Sequence, residues 1–441
     1  MDPSLVAFLG LVLLLVTLAL GVHIGIALTI SGLVGMSLIS GFYPALKTAT
    51  GALYHKVSNP TLVTLPLFIL MGVLAGSGGI SDQIYETLNK WLGKVRAGLG
   101  ISTIFGCAAF GTVCGSSLVT AAVFAKTAAP QMRRQGYDKT LSYSICATAG
   151  TIGMLIPPSI LAVVYGMLSG LSIGKVLMAG VAPGILLTIG FSLVVFLISI
   201  INPAKVGPPL HSISWKERLR SIKNFWTIAV VGSCIFGGIY GGVFTPTEAS
   251  AFAAFALIVI HAILRLPKLG LDGFSKELLS ALRETSITSG MIFLVMGGAT
   301  VFSQFVVLCG LAGKLSRFFS AAGLDMHTTV ALLCFFILIL GCFLDGISIL
   351  SITIPVFNPI VAAAGADLVW YATLAILATE IGLVTPPVGL NVYATKGVAE
   401  TDVRLEDIFR GIIPFFMCEV IVLVILYIFP WVATFLPSFV D

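Results

Sequence analysis

Polar residues are so sparse along this chain that its organisation is read from where the apolar runs stop. A helix crossing hydrocarbon needs about 20 apolar residues. Runs at 4–21, 24–41, 61–80, 141–168, 177–201, 225–243, 247–264, 286–311, 368–396 and 411–436 meet that need and predict about ten spans. Two further runs, 98–128 and 328–360, are too long for one upright span. Each carries small or polar residues at its middle: Gly111-Thr112-Val113-Cys114-Gly115-Ser116-Ser117 in the first, Gly341-Cys342-Phe343-Leu344-Asp345-Gly346-Ile347-Ser348 in the second. Irregular backbone at membrane depth survives only where it is buried in protein or lines a cavity. We read both runs as re-entrant helical hairpins whose tips meet a site; a long tilted span with a glycine kink is the alternative.

Two of the spans are broken in the same way. Gly153-Met154-Leu155-Ile156-Pro157-Pro158-Ser159 interrupts one, and Gly382-Leu383-Val384-Thr385-Pro386-Pro387-Val388 the other. A double proline removes two backbone donors and frees carbonyls, which in hydrocarbon must be buried or coordinate something. The two breaks belong to a repeat. Phe68-Ile69-Leu70-Met71-Gly72 matches Phe293-Leu294-Val295-Met296-Gly297, and a hairpin and then a Pro-Pro break follow each. The expected division is scaffold helices at 1–59, a first repeat at 60–202, a basic linker with scaffold helices at 203–284, and a second repeat at 285–441.

Charge gives these segments a direction. Only 10% of the 441 residues are charged and 58% are hydrophobic, against about 25% charged in a soluble domain. The net charge of +5 is no nucleic-acid signature, because the Lys and Arg sit in short loops. Lys90, Lys94 and Arg96 precede the first hairpin, and Arg133, Arg134 and Lys139 follow it. A re-entrant hairpin leaves both flanks on one side, and the positive-inside rule makes that side cytoplasmic. Threading onward puts 203–224 and 265–285 inside as well, and both termini in the periplasm. Spans 61–80 and 286–311 then run in opposite senses, so the repeats are inverted, the architecture of alternating-access transporters. The loop 42–58, with Lys47 and Lys56, is the one basic loop placed outside. Trp215–Phe225 reads as a basic amphipathic helix on the inner leaflet or as a plain solvated loop.

The start, Leu5–Leu20, lacks a basic leader and reads as a mature span. The eight Cys lie in apolar segments without a CxxC pair, and the five Trp (91, 215, 226, 370, 431) lie near the ends of apolar runs, as in an interfacial belt. The His at 23, 55, 211, 261 and 327 are scattered. No nucleophile–base pair, phosphate loop or metal-spaced His set appears, so the chain is read as no enzyme; an intramembrane hydrolase would need a Ser or Asp pair without the inverted repeat.

Several stretches resemble the large membrane subunit of tripartite ATP-independent periplasmic (TRAP) transporters, the DctM-like family. They are Leu65–Gly72, Gly115–Ser117, Ala129–Met132 with Gly136-Tyr137, Ile156–Ile160, Ala179–Gly184, Gly237–Ala249 and Glu380–Asn391. The resemblance implies an elevator-type, sodium-coupled importer of organic anions in the bacterial inner membrane. It further implies a small four-helix membrane subunit, here expected as a separate chain, and a periplasmic substrate-binding protein. A stand-alone sodium/carboxylate or anion exchanger of related architecture is the rival.

Sodium as coupling ion needs five or six oxygens, and unwound backbone supplies them without a formal charge. The first site is expected at Ser116 and Ser117 with carbonyls near Gly153, Ile156 and Pro158; the family's first sodium site is similar at these positions. The second mirrors it at Asp345 and Gly346 with Thr379, Gly382, Thr385 and Pro387. Asp345, an acid inside an apolar run, is a functional candidate by default or a cap on a broken helix end. Glu380 reads as a similar cap. Lys126 is either a contact for the substrate anion or a snorkelling lysine. Thr151, Ser159 and Asn391 flank the breaks as candidate substrate donors. Glu248, in Thr245-Pro246-Thr247-Glu248, reads as a helix start.

Overall fold

A computed structural model describes the chain except residues 1, 210–213, 322 and 440–441, and the side chains of 240, 312, 316 and 320. Of the five histidines, His211 lies outside the described residues. The fold is all helix, about 85% of the chain, with no strand among the described residues.

The first three helices are α1 (Pro3–Ala19), α2 (Ile24–Ser40) and α3 (Phe42–Val57). The last occupies what reads as a loop in sequence. Its Lys56 Nζ donates to the Met167 carbonyl at 2.5 Å, so this basic residue serves a helix C-terminus, where unpaired carbonyls favour a cation.

A succession of helices then occurs twice. The first has α4 (Thr64–Ser77), α5 (Ile80–Leu92), a hairpin of α6 (Gly98–Cys114) and α7 (Ser117–Thr127), and the short α8 (Ala129–Arg134). A helix broken into α9 (Lys139–Ala149), α10 (Ile152–Leu155) and α11 (Ile160–Ser169) follows, then α12 (Ile173–Ala179) and α13 (Val181–Ile201). Between the two successions lie α14 (Trp215–Ser221), α15 (Trp226–Gly232) and α16 (Gly238–Tyr240), the last two joined by a π turn at Ser233–Gly237.

The second succession starts in α17 (Pro246–Cys309) and continues with α18 (Leu311–Ala321) and a hairpin of α19 (Met326–Gly341) and α20 (Gly346–Ala363). It ends with the broken pair α21 (Leu368–Val384) and α22 (Leu390–Val398), then α23 (Leu405–Ile428) and α24 (Pro430–Thr434). Each double proline, 157–158 and 386–387, falls between helical pieces. Five helices are long and apolar enough to cross a membrane, or six if α9–α11, bent by 42°, counts as one span.

α17 is not one rod. Twelve residues of straight helix rise about 18 Å, yet Arg265 Nε donates to Glu277 Oε2 at 3.0 Å, and the His261 ring lies 5.9 Å from the Phe274 ring. The chain folds back at Gly270, whose φ of 68° and ψ of 179° lie outside the helical region. The result is the two antiparallel spans expected at 247–264 and 286–311, but the intervening 265–285 is helix on both sides of a one-residue turn rather than a loop. The Glu248 helix start is present as a capping box, with Glu248 N–H on Thr245 Oγ1 and Thr245 N–H on Glu248 Oε2.

Inside a bilayer helices associate by close packing, for which small residues are needed. α17 packs along α2 and α4, and a Cβ on Gly298 would stand 2.1 Å from the Gly25 carbonyl oxygen. α17 thus joins the α1–α3 group to α4, the first helix of the first succession.

Polar contacts sort into two ends. At one, Trp91 Nε1 donates to Arg218 O, Arg96 to Ser199 O, and Asp138 N–H to Lys205 O. There too Arg133 clamps Asp402 with two bonds of 2.9 Å and also meets Glu400, holding the Asp402 carboxyl below the usual carboxylate range. At the other, Lys56 meets Met167, Thr64 meets Thr247, and Lys314 meets Ser4. The first group holds the basic loops. Trp215 is helical as the amphipathic reading expects, stacked edge-on with Trp91. Trp370 departs from the interfacial-belt expectation: it is buried and its Nε1 donates to Leu426 O at 2.8 Å.

Candidate tip and break site

Proline at position i+4 leaves a helical carbonyl without its donor. Pro157 and Pro158 do this to Gly153 and Met154, and Pro386 and Pro387 to Gly382 and Leu383, with Gly382 O accepting instead from Thr385 N–H at 3.0 Å. Each break is then met by a hairpin tip. The Ile160 N–H donates to Gly115 O at 3.2 Å, and the Val388 N–H donates to Cys342 O at 3.2 Å. Glycines bring the backbones together: a Cβ on Gly111 would stand 2.5 Å from Gly153 Cα, and one on Gly382 2.4 Å from Gly341 Cα. The two contacts have the same build, one main-chain hydrogen bond beside one glycine pair.

The structure brings most of the first expected ligand set together. Ser116 caps α7, its Oγ accepting from Val119 N–H at 3.5 Å. Ser117 is fully buried and donates to Glu380 Oε1 at 3.3 Å. Pro158 O lies 2.6 Å from where a Gly115 Cβ would be, and Gly153 and Ile156 belong to the same break. In the second set Gly346 and Thr379 are neighbours, and Thr379 Oγ1 and Thr385 Oγ1 donate to Ala375 O and Ile381 O of their own helix. That leaves the lone pairs of both hydroxyls free. Pro387 is exposed.

Asp345 caps α20: it accepts from the N–H groups of Ile347 and Ser348 at 3.1 and 3.2 Å and from the Ser348 hydroxyl. It is exposed and faces a cavity of about 580 Å³ that Leu118 of the first tip, His23 and Met291 also line. Both tips therefore reach one cavity, walled on its far side by α2 and α17. Replacing Asp345 by Ala is expected to cost about 0.5–2 kcal/mol through loss of the cap, and Asn to restore most of it. Thermal melting of the two variants tests this; equal losses would remove the capping role.

The expected substrate donors do not gather there. Lys126 is exposed in the last turn of α7, at the opposite end from the tip. Ser159 is buried and caps α11, accepting from Ala162 N–H at 3.1 Å. Asn391 is buried against Glu380 with neither amide atom in a well-formed hydrogen bond. Thr151 is buried and donates to Glu419 Oε1 at 3.0 Å. Glu380 is not a helix cap but a buried partner of Ser117. Glu419 went unnoticed in the sequence. It is a lone acid in the apolar run 411–428, the signal that singled out Asp345 and applies to it equally.

Residues 11–432 match the family described as tripartite ATP-independent periplasmic transporter, DctM component. The chain belongs to that family. This DctM component is 30% identical over 412 residues to the C4-dicarboxylate TRAP transporter large permease protein DctM of Pseudomonas aeruginosa, covering 92% of the chain and 93% of the relative. It is 31% identical over 444 residues to the isethionate TRAP transporter permease protein DctMQ of Oleidesulfovibrio alaskensis, covering 98% of the chain and 66% of that longer protein. Among solved structures it shares its fold with the YdaH transporter of Alcanivorax borkumensis, with a TM-score of 0.61, 15% identity and 90% of each chain covered. The DctM component is thus a multi-pass membrane permease of a transporter family and not a member of an enzyme class.

Proposed function

We propose that this large permease subunit imports an organic acid bearing a carboxylate or sulfonate, in symport with sodium, by elevator-type alternating access. The observation that carries the reading is the paired construction at the tips, two proline-freed breaks each bridged by one backbone hydrogen bond to a hairpin tip. Its donor set suits a hard cation, because both breaks and the tips facing them offer carbonyl and hydroxyl oxygens. Ser116, Ser117, Gly153, Ile156 and Pro158 would hold the first ion, and Asp345, Gly346, Thr379, Gly382, Thr385 and Pro387 the second. When bound, sodium supplies positive charge that offsets the freed carbonyl dipoles and the charge of the cargo.

In this reading the hairpins and broken helices, α6–α11 and α19–α22, move as a body. The frame is α1–α3 extended by α17, which packs against them, with α4 packed on α17. The inverted sense of the two successions is supported by the sorting of contacts: Thr64 opens α4 at the end where the far part of α17 closes, beside Ser4 and Lys314. The basic loops favour a cytoplasmic assignment for the other end, with both termini periplasmic. Partners follow the family, a small four-helix membrane subunit as a separate chain and a periplasmic substrate-binding protein. Relatives named for C4-dicarboxylate, isethionate and sialic acid transport support the cargo class.

Uptake into proteoliposomes against sodium concentration tests the proposal. The chain with its small subunit and loaded binding protein should require inward sodium. Ser117→Ala should raise the sodium half-saturation roughly three- to tenfold, as expected for one neutral ligand among several. Unchanged sodium dependence in that variant argues against ligation at the first tip, and robust uptake of free substrate by the lone subunit favours the stand-alone exchanger.

A further inference from the structure

Glu419 sits near the middle of α23, fully buried. Its Oε1 accepts from the Thr151 hydroxyl at 3.0 Å, while its Oε2 has no partner among the described residues. An ionised carboxylate has about four lone-pair sites to satisfy, and here one donor serves it. The helices packed against α23 supply no counter-charge. α13 and α24 carry no ionisable side chain. On α9, Lys139 is engaged with Asp402 O and Asp407, Tyr143 Oη accepts from Glu400 N–H, and Cys146 is an uncharged buried thiol. On α22, Tyr393 is exposed and Lys396 lies half-buried in the last turn. On α21, Tyr371 is buried without a partner for its hydroxyl.

On α23 itself Cys418 is adjacent, and Glu406, Asp407, Arg410 and Tyr427 lie two turns or more away. The charged group that acts on Glu419 is a like one, Glu380 on α21. Beside Glu380 is Asn391, fully buried with both amide atoms unbonded, and Thr395 one turn on has an unbonded hydroxyl. Two acids and two neutral polar groups thus share a buried interior, with no cation placed among them by the described residues.

Burying a carboxylate without a compensating charge is strongly unfavourable, and a second carboxylate nearby worsens it. A transition-metal ion fits poorly, because no group of three or more His, Cys, Asp or Glu is assembled among the described residues. A proton needs one oxygen, and one is free. We propose that Glu419 is a proton-binding site: its carboxyl resides in the transporter core as the neutral acid, with the proton on Oε2 and Oε1 held by Thr151. The proton comes from water, and no bond other than O–H is made. Thr151 lies two residues before Gly153, so the occupied site braces the first break from behind. It also spares the helix core around α23 a fixed negative charge in the bilayer. This stands whether or not sodium drives uptake.

Infrared spectroscopy of the full chain in lipid, with its small subunit, tests the assignment. At neutral pH the wild type should show protonated-carboxyl C=O absorption that exchanges slowly in D2O and loses one band in Glu419→Gln, whereas Glu406→Gln, a surface control, keeps that band. Should Glu419→Gln fail to fold, Thr151→Val supplies the second arm. Loss of the hydroxyl that donates to Oε1 should shift the same band to higher frequency. An unaltered acid band in both Glu419→Gln and Thr151→Val overturns the proposal. So does conversion of the band to carboxylate absorption on adding sodium chloride, which would make the site a metal-ion site instead.

Discussion

Gly382→Ala is expected to cut uptake roughly ten- to hundredfold and to lower the melting temperature of the purified transporter. A methyl group at this position would stand 2.4 Å from Gly341 Cα, 2.8 Å from its carbonyl carbon and 2.9 Å from Leu338 O. All three are main-chain atoms, so no side chain can swing aside and α19 must separate from α21. Overpacking of this kind costs about 1–3 kcal/mol. Here the strain falls on the joint that also holds the Val388 to Cys342 hydrogen bond. The break is displaced from its tip, and a loss of roughly ten- to hundredfold in transport follows from the same energy. Gly111→Ala should behave alike, since its Cβ would meet Gly153 Cα at 2.5 Å. Gly290, with nothing within 4 Å, is the control and should tolerate Ala. Wild-type uptake from Gly382→Ala would show that the two backbones are not held together in the working transporter.

Gly270→Ala is expected to destabilise the protein by about 1–3 kcal/mol through backbone strain alone. No atom would touch the added methyl group, so sterics with neighbours do not enter. The cost arises because φ 68° with ψ 179° is a region populated essentially by glycine. An alanine there favours ordinary helix, which would extend the segment before the turn and pull Arg265 and His261 away from Glu277. Gly270→Asn should not rescue, because asparagine tolerates the left-handed helical region and not this ψ. Thermal melting in detergent measures the difference, and a melting temperature equal to wild type for Gly270→Ala would refute the fold-back as a strained turn.

Much of this fold could be read before any coordinates because polar residues inside apolar runs are expensive. The tips at Gly115-Ser116 and Cys342–Asp345 and the breaks at Pro157-Pro158 and Pro386-Pro387 stand where hydrophobicity fails without a loop to explain it. Short amphipathic helices were harder. α5 and α18 follow the first helix of each succession, but neither is long or apolar enough to register as a span. α3 carries two lysines and reads as a loop in sequence, although its helical face is plain with Lys56 capping α11. Side-chain direction was not legible. Lys126 and Asn391 lie close in sequence to a tip and a break, but one ends up exposed and the other sealed against Glu380. Nor could Trp370 be told from a headgroup-level tryptophan, since position in a run says nothing of which face is turned inward.

The joints between tips and breaks are made of main chain. Ile160 N–H to Gly115 O and Val388 N–H to Cys342 O exist whatever side chains those residues carry. Under the proposed function, cargo preference would be set by side chains around the cavity and could change without touching these joints. Relatives named for C4-dicarboxylates, isethionate, sialic acid and ectoine are what such a division of labour would produce. For an engineer it separates two alphabets: side chains at Leu118, Met291 and Ser348 are open to recombination between family members, whereas the glycines and prolines at the joints are grammar and have to be copied unchanged.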